Sequence, residues 1–149
     1  MCVAARFKSL LLAAWTLTVK IVSDPKADYT AADIMLSPSG RYLWATSRAR
    51  GDGSITGYIA CFLLDDAGAV LKEMLMVPTA SFGSISNAIT TAPWSDEYVL
   101  LTDVPGGYVE VWKMDGKEET ELGVEYTVAK PIARVDIGRS CCANALWVN

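Results

Sequence analysis

The 149-residue chain contains no histidine, so the commonest general base and the commonest metal ligand are both missing. Its four cysteines, Cys2, Cys61, Cys141 and Cys142, form no C-x-x-C pair, and nothing supplies the remaining ligands of a zinc site. Cys141 and Cys142 are one peptide apart, closer than disulfide geometry favours, so the expectation is of reduced thiols in a cytoplasmic protein. Chemistry is left to the charged residues. Arg48 ends an expected strand beside a glycine-rich loop, Arg50-Gly51-Asp52-Gly53-Ser54. A guanidinium there can grip a carboxylate through two parallel hydrogen bonds and stays charged at any working pH. The strand pattern alone, however, describes a solvated side chain. Arg50 could assist it, although its loop position favours solvation. Asp65 and Asp66 read as turn formers, and Glu118, Glu119 and Glu121 as a solvated charged loop.

The rest of the chain must position these groups. It is 52% apolar and 20% charged, ordinary for a globular protein, and its length allows one core. The net charge is −4 with scattered Lys and Arg, which argues against a nucleic-acid or anionic-membrane surface. Residues 1–23 stand apart. Arg6 and Lys8 precede an apolar run from Leu10 to Val19 that imitates a secretory signal, yet no A-x-A-like cleavage site follows. The run is too short to span a bilayer. A buried segment, or a start foreign to the rest of the protein, is expected there, with the domain proper over residues 24–149.

From Tyr29 onward short strands alternate with turn residues. Ala32–Leu36 ends at Ser37-Pro38-Ser39-Gly40, a strong turn signal. Strands are then expected over Arg41–Ser47, Ile55–Leu64 and Ala69–Val77, with a turn at Asp65-Asp66-Ala67-Gly68. The order repeats with strands over Asn87–Thr91, Glu97–Asp103, Tyr108–Met114 and Val124–Ile137. Their turns are Pro93-Trp94-Ser95-Asp96, Pro105-Gly106-Gly107 and the polar stretch Asp115–Thr120. Four strands recurring at about 45–50 residues is the sign of a β-propeller blade, whereas a β-sandwich would show similar strands without the regular repeat. Trp44, Trp94, Trp112 and Trp147 recur near strands and suit packing between blades. The last segment, Ala143–Val148, reads as a lone closing strand of the kind that completes a first blade, and that blade is absent here. Two blades cannot close a ring, so an incomplete propeller is expected, with open blade edges prone to self-association.

An ordered set of residues makes the pattern specific. It begins with Ser37-Pro38-Ser39-Gly40-Arg41-Tyr42-Leu43, Ala45-Thr46-Ser47-Arg48-Ala49, Gly57-Tyr58-Ile59-Ala60 and Asp66-Ala67-Gly68. It continues through Ser86-Asn87-Ala88, Pro93-Trp94-Ser95-Asp96-Glu97 and Thr102-Asp103, and closes with Ala133-Arg134-Val135 and Asn144-Ala145-Leu146-Trp147. With this set Tyr29–Asn149 resembles the C-terminal third of the fungal carboxy-cis,cis-muconate cyclases, or 3-carboxymuconate lactonising enzymes. These are seven-bladed propellers within the lactonase family that includes the 6-phosphogluconolactonases. The resemblance implies an all-β fold, a partial seven-bladed β-propeller of about two antiparallel four-stranded blades plus a closing strand.

The resemblance also implies a reaction of the cycloisomerase type in aromatic catabolism. A carboxylate of 3-carboxy-cis,cis-muconate adds across a carbon–carbon double bond, and a proton is delivered to carbon. No cofactor and no metal is implied, and the partner is a small polycarboxylate, with no nucleic acid and no membrane. Arg48 aligns with a site arginine of the family's T/S-S-R motif, as a substrate-binding residue. No catalytic residue is assigned, because the family's histidine, second arginine and glutamate belong to blades without counterpart here. Within the matched region, Ile85 in Gly83-Ser84-Ile85-Ser86-Asn87 replaces a family histidine and can neither donate nor titrate. Two further functions remain open: a 6-phosphogluconolactonase-type lactone hydrolase, and a non-catalytic partial propeller.

Overall fold

A computed structural model describes residues 28–50, 55–82, 88–119, 125–138 and 143–148. Residues 1–23 with their apolar run, the boundary at 24, Ile85, Glu121, Cys2, Cys141 and Cys142 lie outside these residues. No helix among the described residues is long and apolar enough to cross a membrane.

Eight strands form in chain order: β1 Asp28–Leu36, β2 Tyr42–Arg50, β3 Thr56–Leu64, β4 Val70–Phe82, β5 Ile89–Thr91, β6 Tyr98–Asp103, β7 Tyr108–Glu119 and β8 Glu125–Asp136. They make two antiparallel four-stranded sheets of meander order, β1-β2-β3-β4 and β5-β6-β7-β8. The turn chemistry explains the meanders. In the first, Gly40 adopts φ 73°, a conformation that glycine reaches at no steric cost, and its N–H donates to the Ser37 carbonyl. In the β3–β4 turn, Asp65 Oδ1 accepts the backbone N–H groups of Ala67 and Ala69, the turn-forming role expected of it. Pro78 and Pro131 both stand on the outermost strand of their sheets, β4 and β8, where a missing N–H disturbs no inner ladder.

One expected turn is replaced by strand. The polar stretch from Asp115 extends β7 to Glu119, pairing Lys117 with Thr127 and Glu119 with Glu125. A register shift between Asp115 and Lys117 absorbs Gly116, and Lys130 Nζ reaches Asp115 Oδ2 at 2.6 Å across the strands. A glycine at a bulge lets a charged hairpin continue past the point where composition suggests it ends.

The two sheets pack face to face. Trp44, Ile59, Cys61 and Leu75 of the first meet Ile89, Val99, Leu101, Trp112 and Ala129 of the second in one buried cluster. Trp44 is wholly buried and Trp112 nearly so, as expected for residues packing between blades. The opposite face of the first sheet carries a second cluster of Leu43, Ala45, Ala60, Phe62 and Leu64. Period-two alternation along β2 and β3 thus feeds two cores, which accounts for their near-continuous apolar runs.

Polar contacts join the inner strands. Asp33 Oδ2 accepts the Ile89 N–H at 3.1 Å, and Thr91 Oγ1 donates to the Leu36 carbonyl at 2.9 Å. A register shift between Ala31 and Asp33 marks a bulge in β1 beside this staple. The same device recurs one step on, where Thr90 Oγ1 donates to the Ala145 carbonyl at 2.9 Å and Trp147 Nε1 donates to the Thr90 carbonyl. Both threonine bonds span 55 residues. That spacing is longer than the period read from strand counting, because each repeat also includes the crossing from outer to inner strand. Residues 143–148 therefore lie beside β5 in the place an inner strand of a following repeat would take, rather than along the first sheet. They are held by side chains without a ladder. The architecture is that of two consecutive β-propeller blades.

A carboxylate ties the blades at the β1–β2 turn. Asp96 Oδ2 accepts the Ser39 hydroxyl at 2.6 Å, Oδ1 accepts the Ser39 N–H at 3.0 Å, and Trp44 Nε1 donates to the Asp96 carbonyl. Burial alone would raise the Asp96 pKa. The hydrogen bonds from Ser39 and Ser37 and the charge of Arg41 outweigh it and hold the carboxyl below its ordinary range. A depressed folded pKa stabilises the fold above the unfolded value and loses that stabilisation as pH falls through the folded value. The urea midpoint of the wild type, followed by tryptophan fluorescence, is therefore expected to exceed that of Asp96→Asn at neutral pH. The gap between them should close as pH falls below 3.8, the carboxyl's ordinary value.

Candidate functional site at the crossing end of the blades

The strands of both sheets run between two ends. The β1–β2, β3–β4 and β5–β6 turns lie at one end, with the Asp96 staple. The end of β2, the start of β3, the end of β4, the start of β5 and the β6–β7 turn lie at the other, the crossing end. Arg48 falls near this crossing end. It sits on β2 opposite Thr30 of β1, and by alternation shares the face of Trp44 and Thr46 that looks toward the second sheet. Arg48 is half-buried, so the strand places it at the blade junction rather than in open solvent.

The level of Arg48 against the second sheet follows from the staples. Thr46 pairs with Asp33 and with Ile59, Asp33 accepts the Ile89 N–H, and Ile89 pairs with Leu101. One pair further along each sheet toward the crossing end come Thr30 with Arg48 in the first and Asp103 with Tyr108 in the second. Asp103 is fully buried. Its Oδ1 accepts the Gly106 N–H at 2.8 Å, and its Oδ2 has no hydrogen-bond partner among the described residues.

Beside this row lies a connected polar set that the sequence did not single out as a site. Glu110 is 4% exposed; its Oε2 accepts Trp112 Nε1 at 2.9 Å and its Oε1 lies 3.5 Å from the Arg134 guanidinium. The Arg134 guanidinium stacks 3.6 Å above the centre of the Tyr108 ring and donates through Nε to Asp136 at 2.8 Å. The Asp136 hydrogen bond raises the Arg134 pKa against the opposing effect of burial, with further help from the charges of Asp136, Tyr108 and Glu110. Arg134 is thus neutralised by two carboxylates and fixed in place. It orders the outer part of this end. The one available signal was the period-two run Tyr108-x-Glu110-x-Trp112, a polar residue on an otherwise core-facing stripe.

The other expected residues separate from the site. Asp65 and Asp66 form their turn at the opposite end, and Glu118 and Glu119 extend β7. Trp94 is largely exposed and meets Trp147 edge-on, with ring centroids 4.9 Å apart. This pair caps the contact between the β5–β6 turn and residues 143–148, in place of packing between the two sheets. Arg50 closes β2. Cys61 is a free, buried thiol. Burial, and secondarily the charge of Asp96, pushes its pKa up, which leaves it inert as a nucleophile. Among the described residues no group of three or more His, Cys, Asp or Glu could hold a metal ion.

Comparison with known proteins agrees with the resemblance carried by the motifs. Over 88 residues the chain is 40% identical to a carboxy-cis,cis-muconate cyclase of Neurospora crassa, a match covering 59% of this chain and 24% of that protein. The fold is shared with a periplasmic gluconolactonase of Pseudomonas aeruginosa at a TM-score of 0.55 and 17% identity, over 78% of this chain and 28% of the other. The chain spans about a quarter of the length of the relatives it matches. No family model matches it. The cyclase is distinct from muconate cycloisomerase, a different enzyme with which its reaction type invites confusion.

The β6–β7 turn is the tightest point of this end. A Cβ on Gly106 would lie 2.5 Å from the Tyr108 ring and 3.2 Å from the Asp103 carboxyl carbon. The ring is held beneath Arg134 and cannot move aside freely. Gly106→Ala is expected to cost about 1–3 kcal/mol of stability, as overpacking does, measurable as a lowered urea midpoint with an unchanged slope.

Proposed function

We propose that this chain supplies the arginine-bearing wall of a carboxylate-binding site in an enzyme of lactone chemistry. Its substrate class is the small polycarboxylate exemplified by 3-carboxy-cis,cis-muconate. The observation that carries this reading is the 40% identity over 88 residues to the Neurospora crassa cyclase. The placement of Arg48 supports it, at the blade junction and at the end where the chain crosses from one blade to the next.

In the proposed reaction a carboxylate oxygen attacks an alkene carbon, so a C–O bond forms as the π bond breaks. The neighbouring carbon takes a proton. Arg48 holds a carboxylate and offsets the concentrated negative charge of the substrate; a guanidinium does not deprotonate in this range and is not the proton donor. No residue of this chain is assigned that proton, and the chain has no histidine. The behaviour proposed for the chain by itself is therefore binding without turnover. A cytoplasmic location, as expected from the sequence, is part of this proposal.

Calorimetric titration with 3-carboxy-cis,cis-muconate tests the reading. Saturable binding is expected, weakened roughly tenfold to a hundredfold in Arg48→Ala by loss of a charge-assisted pair. Equal binding by the two proteins would remove Arg48 from the site. Cyclisation at an enzymatic rate, abolished in Arg48→Ala, would overturn binding without turnover. Hydrolysis of a sugar lactone with carboxymuconate left untouched would move the chain to the hydrolase class.

A further inference from the structure

Thr30 stands on β1 directly opposite Arg48 on β2. Residues paired in this way point to the same face of a sheet, with their Cβ atoms about 4.5–5.5 Å apart. Both are half-buried. The pairing is not at a frayed end, since the ladder continues through Tyr29 with Ala49 to Asp28 with Arg50. Tyr29, on the opposite face, packs against Tyr58 with ring centroids 5.6 Å apart. β1 is the inner strand of its blade, stapled to inner strand β5 through Asp33 and Leu36. Thr30 therefore stands on the inner strand, beside Arg48 and on the same face of the sheet.

We infer that Thr30 is a second substrate contact, donating its hydroxyl hydrogen to the carboxylate that Arg48 grips. A carboxylate held by both arms of a guanidinium still offers free lone pairs, and a hydroxyl one strand away on the same face can fill one of them. The pair then fixes the direction from which the carboxylate enters, with its chain turned away from β1. This inference rests on the reading of Arg48 given above and adds to it a residue that decides how the anion is oriented.

The test uses the whole chain with 3-carboxy-cis,cis-muconate as the calorimetric probe. Thr30→Val keeps the β-branched shape and removes the donor, and Thr30→Ser keeps the donor. Thr30→Val is expected to weaken binding about tenfold, the loss of one hydrogen bond to a charged group, while Thr30→Ser stays within about twofold of the wild type. In an Arg48→Ala background the Thr30→Val change should have little further effect, because the two residues act on one carboxylate. Wild-type affinity in Thr30→Val, alongside weakened Arg48→Ala, would overturn the inference and leave the reading of Arg48 standing. Additive losses in the double variant, or an equal loss in Thr30→Ser, would show a structural effect and overturn it as well. No binding by the wild type, or the same binding by Arg48→Ala, would overturn both.

Discussion

Trp44 decides how this molecule is built. Its indole fills the gap between the two sheets, and its ring N–H donates to the Asp96 carbonyl on the neighbouring blade. A buried indole needs a partner for that N–H, so the blade contact must satisfy packing and hydrogen bonding at one residue. Trp112 answers from the other sheet and solves the same problem differently, by donating to Glu110. That choice brings a carboxylate into the interior, and the buried charge in turn requires Arg134. Much of the polar order at the outer edge of the crossing end follows from accommodating a second tryptophan.

The staples show a division of labour between the two ends. At the turn end Asp96 and Ser39 lock adjacent β-turns by charge-assisted bonds, which are short and directional. Along the inner strands neutral bonds from Thr90 and Thr91 hold neighbours at a fixed interval of 55 residues. The crossing end carries Arg48, Thr30 and the buried Asp103. Scaffolds commonly carry their sites on loops and strand ends.

Arg48 and Arg134 illustrate why a residue type is not a role. Both are arginines near strand ends at the same end of the sheets, and both lie within the stretch that resembles the cyclases. Arg134 stacks on Tyr108 and faces two carboxylates. Arg48 stands on a second strand, opposite a threonine, at the junction of the blades. The two guanidiniums thus stand in different settings, one stacked on an aromatic ring and one on an inner pair of strands.

The sequence by itself determined the strands, the order of turns and the lactonase-like repeat. Period-two alternation and Asp and Ser beside glycine are local signals, readable without knowing what the chain folds against. It also singled out Arg48 for the proposed site, through the family resemblance of the motifs around it. Where the sequence failed, the cause was distance along the chain. The continuation of β7 past Asp115 depended on a partner strand and a bulge at Gly116, against a polar composition that signalled a turn. The repeat of 55 residues, the place of residues 143–148 beside β5, and the set of Asp103, Tyr108, Glu110 and Arg134 were decided only by tertiary structure. Each depends on side chains from strands far apart in sequence meeting at one level of two packed sheets, and no local pattern encodes that level.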